Sequence, residues 1–187
     1  MSANKEPKVI KWYASKKEMG HFTEEERRNI HSSKFKNTRS SIRNTLLKNS
    51  KNVDGKYCRS AVDDAFISYW LTYGKHIITE SRANTILAFA VIKLLDSMIE
   101  VEIICNMREN KEGGSRILQK IKDYFKAHPE FESITLSSVD TAIPFYERKG
   151  FHLTGEKLPN DLVVMKFVRD RNTTVKRKRV NGSNNHN

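Results

Sequence analysis

The chain has 187 residues, 34 of them Lys or Arg against 22 Asp or Glu, for a formal charge of +12. That length suits one domain with its own core, and a hydrophobic content of 37% excludes wholesale disorder. The longest apolar run, Ile86 to Ile92, is far short of the ~20 residues of a helical membrane span, and the start, MSANKEPKVIKWY, holds no apolar signal core, so no membrane partner is expected.

The charge is unevenly placed. Residues 1–60 carry 15 basic and 6 acidic side chains, residues 61–168 carry 13 and 15, and residues 169–187 carry 6 and 1. We therefore expect a single domain over 1–168 and a basic, Asn-rich disordered tail over 169–187. Within the tail, Lys176-Arg177-Lys178-Arg179 reads as a nuclear address, a nucleic-acid contact or a solubilising run. Cys58 and Cys105 do not make a disulfide framework. No second thiol or His stands at zinc-ligand spacing, so a reducing, cytoplasmic setting without a metal is expected.

The elements follow in chain order. Val9 to Tyr13 reads as a first strand. Thr23 opens a helix, because Glu26 three residues on completes a capping box. A basic stretch then places Ile42, Leu46 and Leu47 at helical spacing, and Ala61, Val62, Ala65, Phe66, Tyr69 and Trp70 form another apolar helical face that Gly74 ends. His76 to Thr79, Thr85 to Leu95 and Met98 to Cys105 are strand-like, with turn signals at Ala83-Asn84 and Asp96-Ser97, which predicts an antiparallel meander. A helix from about Ser115 to His128 presents Ile117, Leu118, Ile121 and Phe125 on one face. Ile134 to Val139 is a strand, Thr141 to Lys149 a short helix closed by Gly150, and Leu162 to Val168 a last strand after a loop. The order is mixed α/β of the α+β type.

Two stretches point to chemistry. In IEVEIICNMRENKEGGSRILQKI a buried strand runs into a short loop that opens an amphipathic helix. The N–H groups of such a helix start, with Gly113 and Gly114 allowing close approach and Lys111 and Arg116 adding charge, suit a diphosphate; a Gly-Gly pair also serves as a plain turn. In SSVDTAIPFYERKGF, Asp140 is placed to cap a helix, Pro144 falls in its first turn, and Tyr146 lies mid-helix as a packed residue or a proton donor.

Together these stretches resemble the GNAT superfamily of acetyl-CoA-dependent N-acetyltransferases over roughly residues 60–168. The likeness is strongest at Ala142-Ile143-Pro144-Phe145-Tyr146-Glu147-Arg148-Lys149-Gly150-Phe151, which is similar to the family's "A…YxxxGF" element, and at Gly113-Gly114-Ser115-Arg116-Ile117-Leu118. Glu112 departs from the family's cofactor loop, standing where a glycine is usual.

The resemblance implies a GNAT-like, mostly antiparallel central sheet flanked by helices on both faces, with acetyl-CoA as co-substrate and an amine acceptor, protein or small molecule. It further implies a fourth strand ending in Ile104, Cys105 and Asn106 that splays from its neighbour, pairs its backbone with the pantetheine arm and holds the oxyanion on an N–H. Lys111, Gly113, Gly114, Ser115 and Arg116 would cradle the diphosphate, Arg148 would join them, and Tyr146 would protonate the departing thiolate. Strand alternation puts Ile99, Val101 and Ile103 on one face and Glu100 and Glu102 on the other, so either glutamate is a candidate base or a solvated acid, with Asp140 the runner-up as base. Cys105, without a nearby His, reads as a free, small apolar filler rather than a nucleophile, and His76, His128 and His152 form no constellation. Trp12, Tyr13 and Trp70 read as core. Residues 31–60 hold eight basic side chains and one acid, which argues against a polycationic acceptor. The competing reading is a catalytically inactive module that binds nucleic acid through its basic N-terminal third and tail.

Overall fold

The most apolar run of the sequence forms the middle of the sheet. In the computed structural model, which describes residues 7–50, 76–82, 85–106 and 112–169, Thr85–Leu94 is a strand buried on both faces. Ala88, Ala90, Ile92 and Leu94 point to one side and Phe89 and Val91 to the other, the period of two that a strand imposes.

Around this strand, β3, lie β1 (Lys8–Ala14), β2 (His76–Arg82), β4 (Met98–Asn106), β5 (Ser133–Ser138), β6 (His152–Leu158) and β7 (Leu162–Val168), in the order β1-β2-β3-β4-β5-β7-β6. Adjacent pairs are antiparallel except β4–β5, which is parallel. The β2–β3–β4 meander is the one the sequence predicts, and Asp96-Ser97 closes its second hairpin, with the Leu95 N–H donating to the Met98 carbonyl at 2.9 Å.

Four helices belong to the described residues: α1 (Glu24–Asn29), α2 (Phe35–Ser50), α3 (Gly113–Ala127) and α4 (Ile143–Glu147). α3 lays Ile117, Leu118, Ile121, Tyr124 and Phe125 on the sheet face that carries Ala90, Ile92, Ile99 and Ile134. α2 seats Phe35 and Ile42 on the opposite face, against Ile77, Phe89 and Val91. Helices thus cover both faces of a mostly antiparallel sheet, as expected. Each fully buried Ile or Leu here contributes about 1.5–3 kcal/mol. Trp12 and Tyr13 are core, as read.

Local signals hold at several ends. Thr23 and Glu26 form the capping box of α1, Pro144 sits in the first turn of α4, and Gly150 has φ +83°, the left-handed value that favours glycine. Three expectations are corrected. The stretch read as a loop before the last strand contains β6, which the pattern hid because its residues are nearly all exposed and do not alternate. Asp140 caps nothing: it begins a 3₁₀ turn, Asp140–Ala142, and the residue before α4 is Ala142, without a side-chain cap. Ile103 leaves the face of Ile99 and Val101, for the reason given below. The helix read over 61–70, Trp70, Gly74, the Ala83-Asn84 turn, Cys58, Lys111 and the tail beyond Arg169 lie outside the described residues; the side chains of Leu46 and Leu47 do too.

The C-terminal end of α3 is tied down twice. Arg169 donates through Nε to the Phe131 carbonyl (3.2 Å) and through its terminal nitrogens to the carbonyls of Phe125, Lys126 (3.3 Å) and His128 (2.6 Å), satisfying groups that a helix end leaves unpaired. The His128 ring stacks on Tyr124 and bonds Glu26 through Nε2 (2.6 Å) and Glu130 through Nδ1 (2.7 Å). Both ring nitrogens face carboxylates, so the doubly protonated ring is favoured: burial works against it, but the two carboxylates prevail and His128 lies above its ordinary value. Glu26 and Glu130 lie below theirs: burial pushes both up, but hydrogen bonds outweigh it, from His128 and Thr23 for Glu26 and from its own backbone N–H and His128 for Glu130. The imidazolium's contribution to stability is complete below about pH 6.5 and is lost as pH rises through the higher folded-state value. The carboxylates' contribution is present above about pH 4.5 and lost as pH falls. Urea unfolding should therefore show about 1 kcal/mol less stability at pH 9 than at pH 6, and His128→Gln should remove most of that difference. Equal slopes in the two proteins would rule the clamp out as the source.

Candidate active site

β4 is regular as far as Val101 and then changes. Val91 of β3 stands opposite Ile103 while Ile92 stands opposite Val101, which leaves Glu102 as the extra residue of a β-bulge. The bulge turns the strand over. Ile99 and Val101 point to the α3 face, whereas Ile103 and Cys105 point to the α2 face and Ile104 returns toward α3. β5 pairs with β4 over Met98–Val101 and Ser133–Leu136, then follows β7 through Ser138. Among the described residues, no strand pairs with Glu102–Asn106 on that side. The backbone there has an open edge between two diverging strands, which a ligand with amide groups can meet.

The start of α3 lies beside the end of β4. The Gly114 N–H donates to Asn106 Oδ1 at 2.8 Å, and Arg116 N–H returns to the Glu112 carbonyl at 3.0 Å. The glycine pair divides its roles. A Cβ on Gly113 would lie 2.6 Å from Ala88 Cβ and 2.9 Å from both Asn106 Oδ1 and Glu80 Oε2, so the helix can approach the sheet only because residue 113 has no side chain. A Cβ on Gly114 would make ordinary contacts of 3.7–3.8 Å with Asn106 and Ile104. The close approach expected of Gly113 is thus first an approach to its own sheet. Ser115 is half-buried on the first turn.

Arg116 is not an open charge. Its Nε and Nη2 donate to Glu80 Oε1 (3.0 and 2.7 Å), Nη2 also reaches Glu80 Oε2 (3.1 Å), and Nη1 donates to Glu112 Oε2 (2.6 Å). Glu80 is fully buried on β2, and Lys8 Nζ lies 4.0 Å from it. Sequence reasoning passed over Glu80. The signal was an acid two residues after the apolar pair Ile77-Ile78, and its partner lies 36 residues away.

On the α2 face, Lys93 of β3 contacts Glu102 and lies 3.5 Å from Glu100. The two candidate bases therefore do share a face, but differently. The Glu102 side chain is 1% exposed and that of Glu100 41%. Burial, the larger effect, holds the Glu102 carboxyl above the ordinary carboxylate range, and Lys93 pulls it only part of the way back. A carboxylate raised in this way is a stronger base than a solvated one.

Tyr146, on α4, is buried in the α3-side core with Phe145 and Phe151 edge-on at 5.0 and 5.9 Å. Burial pushes its hydroxyl up to about 12, so it stays a neutral donor. Arg148 is exposed just after α4, where its N–H meets the Pro144 and Tyr146 carbonyls. Cys105, read as a free apolar filler, is buried but disulfide-bonded, its partner lying outside the described residues; it has no thiol to ionise. Among the described residues, no group of three or more His, Cys, Asp or Glu is arranged to hold a metal.

No family model matches the sequence, and no curated protein matches it. Solved structures do resemble the fold. An acyl-CoA N-acyltransferase from Pseudomonas aeruginosa aligns over 87% of this chain and 100% of its own, at 11% identity and TM-score 0.56. A Desulfovibrio desulfuricans protein classed with the acetyltransferases of the GNAT family aligns over 87% and 99%, at 10% identity and TM-score 0.55. A Lactobacillus plantarum protein classed as an N-acetyltransferase aligns over 86% and 97%, at 12% identity and TM-score 0.55. The chain therefore has the GNAT fold that its elements lead one to expect.

The division between the glycines is testable by thermal unfolding. Gly113→Ala should lose about 1–3 kcal/mol through overpacking against Ala88, although alanine is the better helix former. Gly114→Ala should be neutral or gain up to about 1 kcal/mol. Equal effects at the two positions would refute the division.

Proposed function

We propose that the chain is an N-acetyltransferase that moves an acetyl group from acetyl-CoA to a primary amine by direct attack. The observation that carries this reading is the parting of β4 from β5 after Val101, with the start of α3 beside the open edge. The residues there suit the co-substrate. The free side of Glu102–Asn106 offers strand-like pairing to an amide-bearing arm, and a helix start offers N–H groups to phosphate oxygens. Bound acetyl-CoA supplies a thioester carbonyl; the remaining chemistry belongs to the chain.

An N–H near Ile104–Asn106 polarises the carbonyl and holds the oxyanion as the amine nitrogen bonds to carbon. Glu102, directly or through a water, accepts the proton that the amine releases; Glu100, more exposed, is the weaker candidate. Tyr146 hydrogen-bonds the sulfur as the carbon–sulfur bond breaks. A phenol near 12 does not fully protonate a thiolate whose own value is ~8.5, so solvent completes that step. Arg116, Gly113, Gly114, Ser115 and Asn106 form the diphosphate side, with Arg148 a more distant contributor.

A second reading, nucleic-acid binding without turnover, rests on the exposed cations Lys34, Lys36 and Arg43 at α2. Burial, with Lys11 and Lys34 nearby, keeps His31 below its ordinary value, so that ring adds no charge at neutral pH. Binding of this kind would fall steeply with salt.

Calorimetric titration of acetyl-CoA separates the two readings. Saturable binding is expected, and its absence in a folded protein would overturn the enzyme. Tyr146→Phe should bind acetyl-CoA as the wild type does and lose about 10- to 100-fold in turnover, the worth of a hydrogen bond to a charged group. Glu102→Gln should lower turnover and flatten the rise of kcat/KM with pH. An unchanged pH profile would remove Glu102 as the base.

A further inference from the structure

We propose that Glu112 is an internal stand-in for the diphosphate of the co-substrate, and that Glu80 is the positioning residue that keeps Arg116 turned toward it. This rests on the acetyl-CoA reading above and deepens it.

A guanidinium is a planar fork of five donors that grips two oxygens at once. In Arg116 the inner edge of the fork, Nε and Nη2, is taken by Glu80 at 2.7–3.1 Å, and that carboxylate is fully buried on a strand. It cannot swing away. The outer donor, Nη1, meets Glu112 at 2.6 Å, and the Glu112 side chain is 75% exposed. Of these two carboxylates Glu80 is fixed by burial, whereas Glu112 is displaceable, since exposed ion pairs are weakly held. Glu112 is the residue immediately before α3, and its carboxylate makes no capping bond to the helix but turns to Arg116, four residues on.

Glu112 occupies the outer donor of Arg116, so an incoming phosphate group reaches that donor only by displacing a carboxylate of like charge. Arg binds phosphate and carboxylate with the same fork, so the exchange costs Arg116 no donor geometry. The pair then sets a threshold. A ligand that carries a diphosphate can replace Glu112, and a thioester that lacks one cannot.

The test is calorimetric titration of coenzyme A and of pantetheine, which lacks the diphosphate, into wild type, Glu112→Gln and Glu80→Gln. Glu112→Gln should bind coenzyme A about 3- to 10-fold more tightly, since one negative charge is removed beside the site, and bind pantetheine unchanged. Glu80→Gln should bind coenzyme A about 10-fold more weakly, again with pantetheine unchanged, whereas a merely structural role would weaken both ligands. Should Glu80→Gln not fold, Arg116→Lys, which keeps the charge and loses the fork, should show the same selective loss. Coenzyme A affinity in Glu112→Gln equal to or below that of wild type overturns the stand-in, with the enzyme reading left standing. Failure of the wild type to bind coenzyme A overturns both.

Discussion

Backbone N–H and C=O groups inside a sheet must find partners, and β4 stops finding them in β5 after Val101. Much of the molecule is arranged around that fact. The bulge at Glu102 increases the local twist and sends the end of β4 on a course that β5, held in register by β7, does not share. The edge that results is flanked by α3 on one face and by the Glu102–Lys93 pair on the other. The catalytic reading depends on this divergence more than on any single side chain.

Two buried carboxylates lie on opposite faces of the sheet, one where the open stretch of β4 begins and the other on β2, across β3 from where that stretch ends. Glu102 is set against Lys93 on the α2 side and Glu80 against Arg116 on the α3 side. Buried ion pairs are an inefficient route to stability, because desolvation offsets most of the attraction. On the reading proposed above, their placement is easier to understand as control of charge near the amine and the phosphate. The partners differ to suit: a single ammonium leaves its carboxylate basic, whereas a fork clasped from one side keeps a donor facing outward.

Most of the fold was legible because its elements repeat a short period. The meander shows alternation, α3 shows an apolar face every three to four residues, and Thr23, Pro144 and Gly150 mark ends by local chemistry that needs no tertiary knowledge. β6 was not legible, since HLTGEKL buries little and has no pattern to read. The bulge was hidden for another reason. One inserted residue leaves the composition of a strand unchanged while reversing the side on which every later residue falls, so Ile103 was assigned to the wrong face and Glu102 to the right one. The Glu80–Arg116 pair and the clamp at His128 join residues 36 and 102 positions apart, and no local window contains both partners.

Arg169 has a consequence for how the molecule is laid out in space. By grasping the carbonyls at the end of α3, it fixes the point at which the chain leaves the described structure. α3 is 15 residues long, so that point lies roughly 22 Å from the glycines at its start. The last described residue therefore stands at the far pole of the helix from the proposed diphosphate cradle, and whatever follows it begins there.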